Sequence, residues 1–576
     1  MIDVQQAITD KFPSFSERPE LIRKTTLNFL KKITHESEIN AFLTENSDLN
    51  GVDFIEAVFE YFNFTYSASL KDKQNIPSQG RVVIIANHPI GSLDGLALLR
   101  QILEVRPDVK IVANDMLMMF PQLNEFFIPV NNMTGKSFKA VYDGVTEALN
   151  KEQAVIIFPA GEVSRTSPTG IKDSRWRFGF INFARKTQSP ILPIHVKGKN
   201  SALFYSVSII AKPLSTALLS SEMFKQRNRS LIFTVGELIP CSEINQLDVS
   251  DKSLVKRLKK HLYKLPKLKK SHKPNQFSTQ KTISHPEDRQ RLLAAIKGVE
   301  KMGDTKNGFS ILLANYYESN VLMKEIGRLR EVAFRMVGEG TGKKRDLDRY
   351  DKYYQHLVLW NKENLDLVGA YRLGDCRALI GEYGLDGLYT STLFDFEPAM
   401  NVYLNNGLEL GRSFINPTYW GKSSLGYLWQ GIGCYRKNNP HIRYLIGPVS
   451  MSDRFPKALR DKLIYFFKRF YSGEEQIAHP KNEYTFDEAE VRALEIEFSE
   501  HDAITGMVYL IEEFKRAGHT FPVLFKQYTS LFEKGGFRIL SFSVDPEFAN
   551  CIDGLILADM DKLKETKRQR FFSGSV

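Results

Sequence analysis

Cysteine is scarce in this chain: Cys241, Cys376, Cys434 and Cys551 are the only four in 576 residues, and no two form a C-x-x-C pair. That spacing offers neither a zinc site nor a disulfide framework, and a reducing, cytoplasmic compartment is expected. Long apolar runs are missing too. A membrane-spanning helix needs about eighteen or more consecutive apolar residues, and the nearest approach, residues 201–220, is broken by Lys212 and Pro213. The first residues, MIDVQQAITDKFPSFSERPE, carry acids early and no apolar core, so no secretory signal is expected. No internal repeat of solenoid period is visible. Metal-ligand clusters are absent from the pattern, and no metal or other cofactor is expected.

Acids are also absent from one long stretch. Between Asp251 and Glu287 there are eleven Lys or Arg residues and not one Asp or Glu. The formal charge of the whole chain is +11, so this segment carries the entire excess. Its first part, KSLVKRLKKHLYKLPKLKK, places Leu254, Val255, Leu258, Leu262 and Leu265 at helical spacing. Such a helix can lie on an anionic bilayer with its leucines in the acyl boundary, or it can dock those leucines on its own domain and expose its lysines. No zinc finger or aromatic-interleaved motif accompanies the charge, which argues against nucleic acid.

With 43% apolar and 25% charged residues, the chain has a globular composition, and its length implies several domains. Residues 1–75 have the pattern of helices, notably PELIRKTTLNFLKKI and VDFIEAVFEYFNF. Residues 76–265 alternate short β-branched runs (VVIIA, KIVAN, AVIIFPA, ILPIHV, SLIFTVG) with helical stretches, the pattern of an α/β domain with a largely parallel sheet. Residues 266–300 are basic and rich in Pro, Ser, Asn and Gln, and are expected to be a linker. Strand and helix signals restart over 301–576, where LVLWNKENLDLVGAYRL predicts a hairpin and NPHIRYLIGPVSM a strand. The segment NDMLMMFPQLNEFFIPV is expected to be a core helix, or the wall of an acyl-chain groove.

The chemistry begins at VVIIANHPIGSLDGLALL, a strand, a tight turn and a helix in succession. His88 and Asp94 fall at that turn beside Gly91 and Gly95. A histidine steadied by a carboxylate can take the proton of a hydroxyl that attacks a thioester. The stretch resembles the first block of the glycerolipid (PlsC-like) acyltransferase family, with His88 as base and Asp94 as orienter. IIFPAGEVSR resembles the third block and ILPIHVKG the fourth, so the resemblance covers roughly residues 75–240. Two departures matter. Five residues separate His88 from Asp94 where the family usually has four. Ala160 stands where the family carries a Glu that helps bind glycerol phosphate. The resemblance therefore implies a hydroxyl acceptor other than glycerol phosphate. Gly91, Gly161, Glu162, Arg165, Lys172, Asp173 and Trp176 are the candidates for lining its site.

A second set lies in GRLREVAFRMVGEG, RDLDRYDKYYQHLVLW, LVGAYRLG and LELGRSFINPTYW. Together these resemble the acyl-homoserine-lactone synthase and ornithine N-acyltransferase group, which has a GNAT fold, across roughly residues 315–560. Arg330, Phe334, Asp348, Asp351, Arg372, Glu409 and Arg412 match its elements. The resemblance implies transfer of a 3-hydroxyacyl chain from acyl carrier protein to an α-amine, with Glu409 as candidate base. Asp348 and Asp351 either hold a cationic amino acid or pair with Arg372 and Arg412.

The fold expected is thus a PlsC-like α/β domain followed by a GNAT-like mixed-sheet domain. The pair of resemblances implies a bacterial two-step acyltransferase at the inner face of the cytoplasmic membrane. It would N-acylate ornithine and then esterify the 3-hydroxyl of the resulting lyso-ornithine lipid. Three other readings share these features: the same scheme with glycine or another amino acid, a lysophosphatidic acid acyltransferase fused to an unrelated acetyltransferase, and a non-catalytic membrane-binding protein.

Overall fold

The computed structural model describes residues 3–11, 13–114, 120–130, 137–167, 170–210, 218–268, 276–473 and 475–572. It divides into two compact units, residues 1–284 and 285–576.

The first unit is built on a seven-stranded sheet. In chain order its strands are β1 (Thr65–Ala68), β2 (Val82–Ala86), β3 (Val109–Asn114), β4 (Phe127–Val130) and β5 (Ala154–Ile157). A small hairpin follows, β6 (Arg165–Ser167) and β7 (Gly170–Lys172), and then β8 (Ile191–Lys197) and β9 (Ser230–Val235) complete the sheet. The order across it is β1-β9-β8-β2-β5-β3-β4. Every pairing is parallel except β8 with β9. A parallel sheet is buried on both faces, which is why its central strands are uninterrupted apolar runs. In β2, Val82, Ile84 and Ala86 enter one core while Val83 and Ile85 enter the core on the opposite face, as the two-residue period requires. The helix Ser92–Leu103 packs into the first of these cores, and Gly179–Thr187 and Asp251–Leu268 into the second.

Leu254, Val255, Leu258, Leu262 and Leu265 are all buried in their own unit. Their place in the acyl boundary of a membrane is thereby overturned: the core has already taken the apolar face. What the helix exposes is Lys252, Lys256, Arg257, Lys260, Lys264 and Lys267. The expected linker is largely structured among the described residues. Phe277 and Thr282 are buried in the first unit, and the helix Arg289–Ile296 places Leu292 and Ile296 in the second. The expected core helix in NDMLMMFPQLNEFFIPV is not found among the described residues either. Asn114 ends β3, Pro121–Phe126 is a 3-10 turn and Phe127 opens β4, while the three methionines lie outside the described residues.

The second unit carries an eight-stranded sheet. Its strands are β10 (Glu300–Asp304), β11 (Ser310–Asn315), β12 (Gln355–Asn361) and β13 (Asp366–Asp375), then, after the short β14 (Phe394–Phe396), β15 (Gly407–Ile415) and β16 (Tyr444–Met451). A second short strand, β17 (Ala478–Pro480), pairs with β14, and β18 (Phe537–Asp545) and β19 (Cys551–Asp559) finish the sheet. The order is β10-β11-β12-β13-β15-β16-β19-β18, antiparallel except for β15 beside β16. That parallel pair bonds only over Gly407–Glu409 and Tyr444–Ile446, although both strands run on. The predicted hairpin is β12–β13. The helix Asn320–Met336 covers one face of the sheet, and the helices Ser424–Asn438 and Lys457–Phe470 the other.

Candidate functional site

His88 follows β2 directly, at the carboxyl end of the parallel strands where sites of such sheets form. Asp94 lies in the first turn of the helix Ser92–Leu103 and is fully buried, and its Oδ1 stands 2.7 Å from His88 Nδ1. Its Oδ2 accepts the Ile90 N–H at 2.7 Å, so the carboxylate holds both the ring and the turn. Gly91 makes the bend with φ of +126°, a conformation closed to most side chains. The His88 ring stacks on Phe158 with centroids 4.2 Å apart, and its side chain keeps 19% of its surface exposed. Burial works against a charged imidazole here, but the Asp94 carboxylate, helped by Asp173, outweighs it and raises the His88 pKa above its ordinary value. The arrangement can lift a proton from a hydroxyl and hold it as an imidazolium against Asp94.

The residues expected to line the acceptor site divide in two. Asp173 and Trp176 are buried and brace the turn that carries His88. Asp173 Oδ1 accepts the His88 backbone N–H at 3.2 Å and the Ser164 hydroxyl, and its Oδ2 accepts Trp176 Nε1 at 2.8 Å. The Ser164 N–H returns to the His88 carbonyl at 2.7 Å. The basic helix joins this latch: the Asp173 N–H donates to Tyr263 Oη, and Lys259 Nζ donates to the carbonyls of Asp173 and Ser174 at 2.6 and 2.7 Å. Trp176 packs in the core of the first unit. Glu162 and Arg165 pair with each other at 3.3 Å, Gly161 turns with φ of +67° beside Arg177, and Lys172 lies 5.9 Å from the Tyr263 ring. Ala160 is buried. Phe158, Ser164, Lys259 and Tyr263 were not singled out from the sequence; only the fold brings them to His88.

In the second unit the matched residues converge. Arg330 Nη1 donates to Asp351 at 2.6 Å, and Arg372 Nη1 to Asp348 at 2.6 Å. Arg412 Nε faces Asp346 at 3.1 Å and Nη2 faces Asp348 at 3.6 Å. Arg330, Asp351 and Arg372 are wholly buried. Burial opposes both carboxylates, but Arg330 and Arg372 hold Asp351 far below the usual range, and Arg372 lowers Asp348. Asp348 also caps the turn Arg349–Lys352 in a reciprocal box with Asp351. Phe334 packs edge-on against Phe548, over which the Arg412 guanidinium lies at 4.7 Å. The two aspartates are therefore members of an ion network, completed by Asp346 and by His356, which meets Arg330 at 3.2 Å.

Glu409 does not stand open to a substrate. It is 1% exposed, and its carboxylate accepts the Tyr354 hydroxyl, the Tyr389 N–H at 3.1 Å and the Thr390 N–H at 2.6 Å. It pins the turn at 388–390 onto β15, and that saturation argues against its expected role as base.

Residues 6–271 match the acyltransferase family model, and residues 329–430 match that of the acetyltransferase (GNAT) domain. The first half is 34% identical over 248 residues to a lyso-glycine lipid O-acyltransferase of Bacteroides thetaiotaomicron, covering 42% of this chain and 89% of that one. The chain belongs to the acyltransferases. The second half of this acyltransferase is 31% identical over 284 residues to a glycine N(alpha)-acyltransferase of Phocaeicola vulgatus, covering 47% of this chain and 86% of that protein. It is also 27% identical over 201 residues to an L-ornithine N(alpha)-acyltransferase of Agrobacterium fabrum, covering 34% and 66%. An N-terminal acyltransferase domain is thus joined to a C-terminal GNAT domain with a mixed sheet.

Proposed function

We propose that this acyltransferase makes an aminolipid in two steps, with glycine as the amino acid. The second unit forms an amide between the glycine amine and a 3-hydroxyacyl chain delivered as a thioester by acyl carrier protein. The first unit then esterifies the 3-hydroxyl of that lyso-lipid, with His88 as base. The observation that carries the choice of glycine is that both halves are similar to proteins acting on glycine or lyso-glycine lipid, at 31% and 34% identity. Within the ion network Asp346, Asp348 and Asp351 each face an arginine. Ornithine is the second reading, favoured by the 27% identity to an ornithine acyltransferase.

Both lyso-lipid and product are amphiphiles, so the reading places the enzyme on the cytoplasmic surface of the membrane. Among the described residues no helix is long and apolar enough to cross a bilayer. The helix Glu20–Thr34 instead exposes Leu21, Ile22 and Phe29 beside Lys24 and Lys32, a composition suited to the interface. The test is mass spectrometry of lipids from a host without aminolipids that expresses the chain. Glycine-headed lipid is the expected product; ornithine-headed lipid would replace the choice of amino acid, and no new aminolipid would remove the reading.

A further inference from the structure

With Glu409 committed to the turn at 388–390, the ammonium of an incoming amino acid needs another group to take its proton. Glu339 stands just beyond the helix Asn320–Met336, in a turn clamped to the end of β16. Gly338 has φ of +85° there, with the Ser452 and Arg454 side chains where a Cβ would sit, and Ser452 Oγ donates to its carbonyl at 3.1 Å. Glu339 Oε2 accepts the Ser450 hydroxyl at 2.8 Å. Ser450 belongs to the part of β16 that has left β15, opposite Asp553 on β19. Arg412, whose charge acts on Glu339, belongs to the part of β15 that has left β16. The carboxylate is therefore held at the gap where the two parallel strands separate, and Glu339 remains partly exposed.

We propose that Glu339 is the general base of the N-acylation, receiving the proton of the amino-acid ammonium at the gap between β15 and β16. This rests on the reading of the second unit as an amino-acid N-acyltransferase. The ammonium gives one proton to the Glu339 carboxylate, and the freed nitrogen lone pair attacks the thioester carbonyl carbon. The C–N bond forms and the carbonyl π pair moves to oxygen. As that pair returns, the C–S bond breaks and the thiolate departs, taking the second nitrogen proton to become the thiol. Glu339 then releases its proton to water, so one amide, one thiol and one proton leave for each ammonium and thioester consumed.

The groups facing Glu339 suit the role. Arg412 comes from β15, Ser450 from β16, and Cys551 and Asp553 from β19, with Asp545 of β18 acting on Cys551 and Asp553. Burial pushes the Glu339 carboxyl up to about 7, offset only in part by the Ser450 hydroxyl and the Arg412 charge. A base is most effective when its pKa lies near the working pH. Burial, and then its acidic neighbours Asp545 and Glu339, raise the Asp553 carboxyl well above its ordinary value. Asp545 accepts the Tyr389 hydroxyl at 3.0 Å.

The experiment uses the purified full chain with glycine and a 3-hydroxyacyl thioester, following kcat against pH at saturating substrates. Wild type, Glu339→Gln, Glu339→Asp and Glu409→Gln are compared, each with its melting temperature. The wild-type kcat is expected to rise with pH as the Glu339 carboxyl, raised by burial, gives up its proton. Glu339→Gln should melt like wild type, lose about 10²-fold or more in kcat and lose that rise. Glu339→Asp should recover part of the rate with the rise restored, and Glu409→Gln should instead lower the melting temperature. A folded Glu339→Gln chain that keeps the wild-type kcat, or keeps the rise while only KM for glycine increases, overturns the assignment. A wild-type chain that acylates no amine overturns the reading of the second unit, and the base falls with it.

Discussion

As the proposed base His88 must have a neutral imidazole, and Asp94 makes that state harder to reach. Burial alone would lower the pKa of the ring; the carboxylate 2.7 Å away reverses the sign and lifts it above 6.5. O-acylation should accordingly climb with pH through a midpoint above 6.5, and Asp94→Asn should move that midpoint down while cutting the rate, as a pH series on lyso-lipid acylation would record. The same pair bears on stability with the opposite sense. It stabilises the fold fully below the unfolded pKa of the histidine, and its contribution is lost as pH rises through the raised, folded value. His88→Ala should leave the one-chain lyso-lipid to accumulate, visible by mass spectrometry. In the second unit, Asp351→Asn strips a wholly buried arginine of its partner and should cost about 3–5 kcal/mol by chemical denaturation. The His88–Asp94 pair was legible in the sequence because both members lie on one turn. The bond from His88 to Asp173 was not legible because the two are 85 positions apart, nor was the enclosure of Glu409, because Tyr354 and Thr390 reach it only across the folded sheet.

At the scale of elements, β2, β3, β5, β8 and β9 were legible from their β-branched runs, and β2 and β5 are buried along their whole length. β1 and β4 were not, since each is an edge strand of four residues, too short for a period to show. The basic helix Asp251–Leu268 was legible as amphipathic, but not which face met what, because periodicity is silent about the partner. The structure separates the two faces, and mutations should separate them too. Leu258→Ala removes a fully buried side chain and should cost about 2–5 kcal/mol. Reversing Lys252, Lys256, Lys260 and Lys264 to Glu should leave the melting temperature nearly unchanged and weaken sedimentation with anionic vesicles. Lys259 behaves differently from its neighbours, as it bonds the carbonyls at 173–174; Lys259→Met should slow O-acylation with little change in vesicle binding.

For the molecule as a whole, each unit has its own sheet and its own core. On the proposed reading the product of the second unit is the substrate of the first, and an amphiphile can travel between chains through the bilayer. Co-expression of His88→Ala chains with Asp351→Ala chains should therefore restore two-chain lipid, measured against either variant alone. The sequence also states where the charge lies: all of the net +11 resides between residues 251 and 287, and the helix Asp251–Leu268 within that stretch is tied to the turn that carries His88. Dissolved salt screens exposed charges beyond about 10 Å at 0.1 M. Ionic strength should thus act as a selective dial on the enzyme, slowing ester formation on anionic vesicles while amide formation from a small thioester in solution proceeds at an unchanged rate.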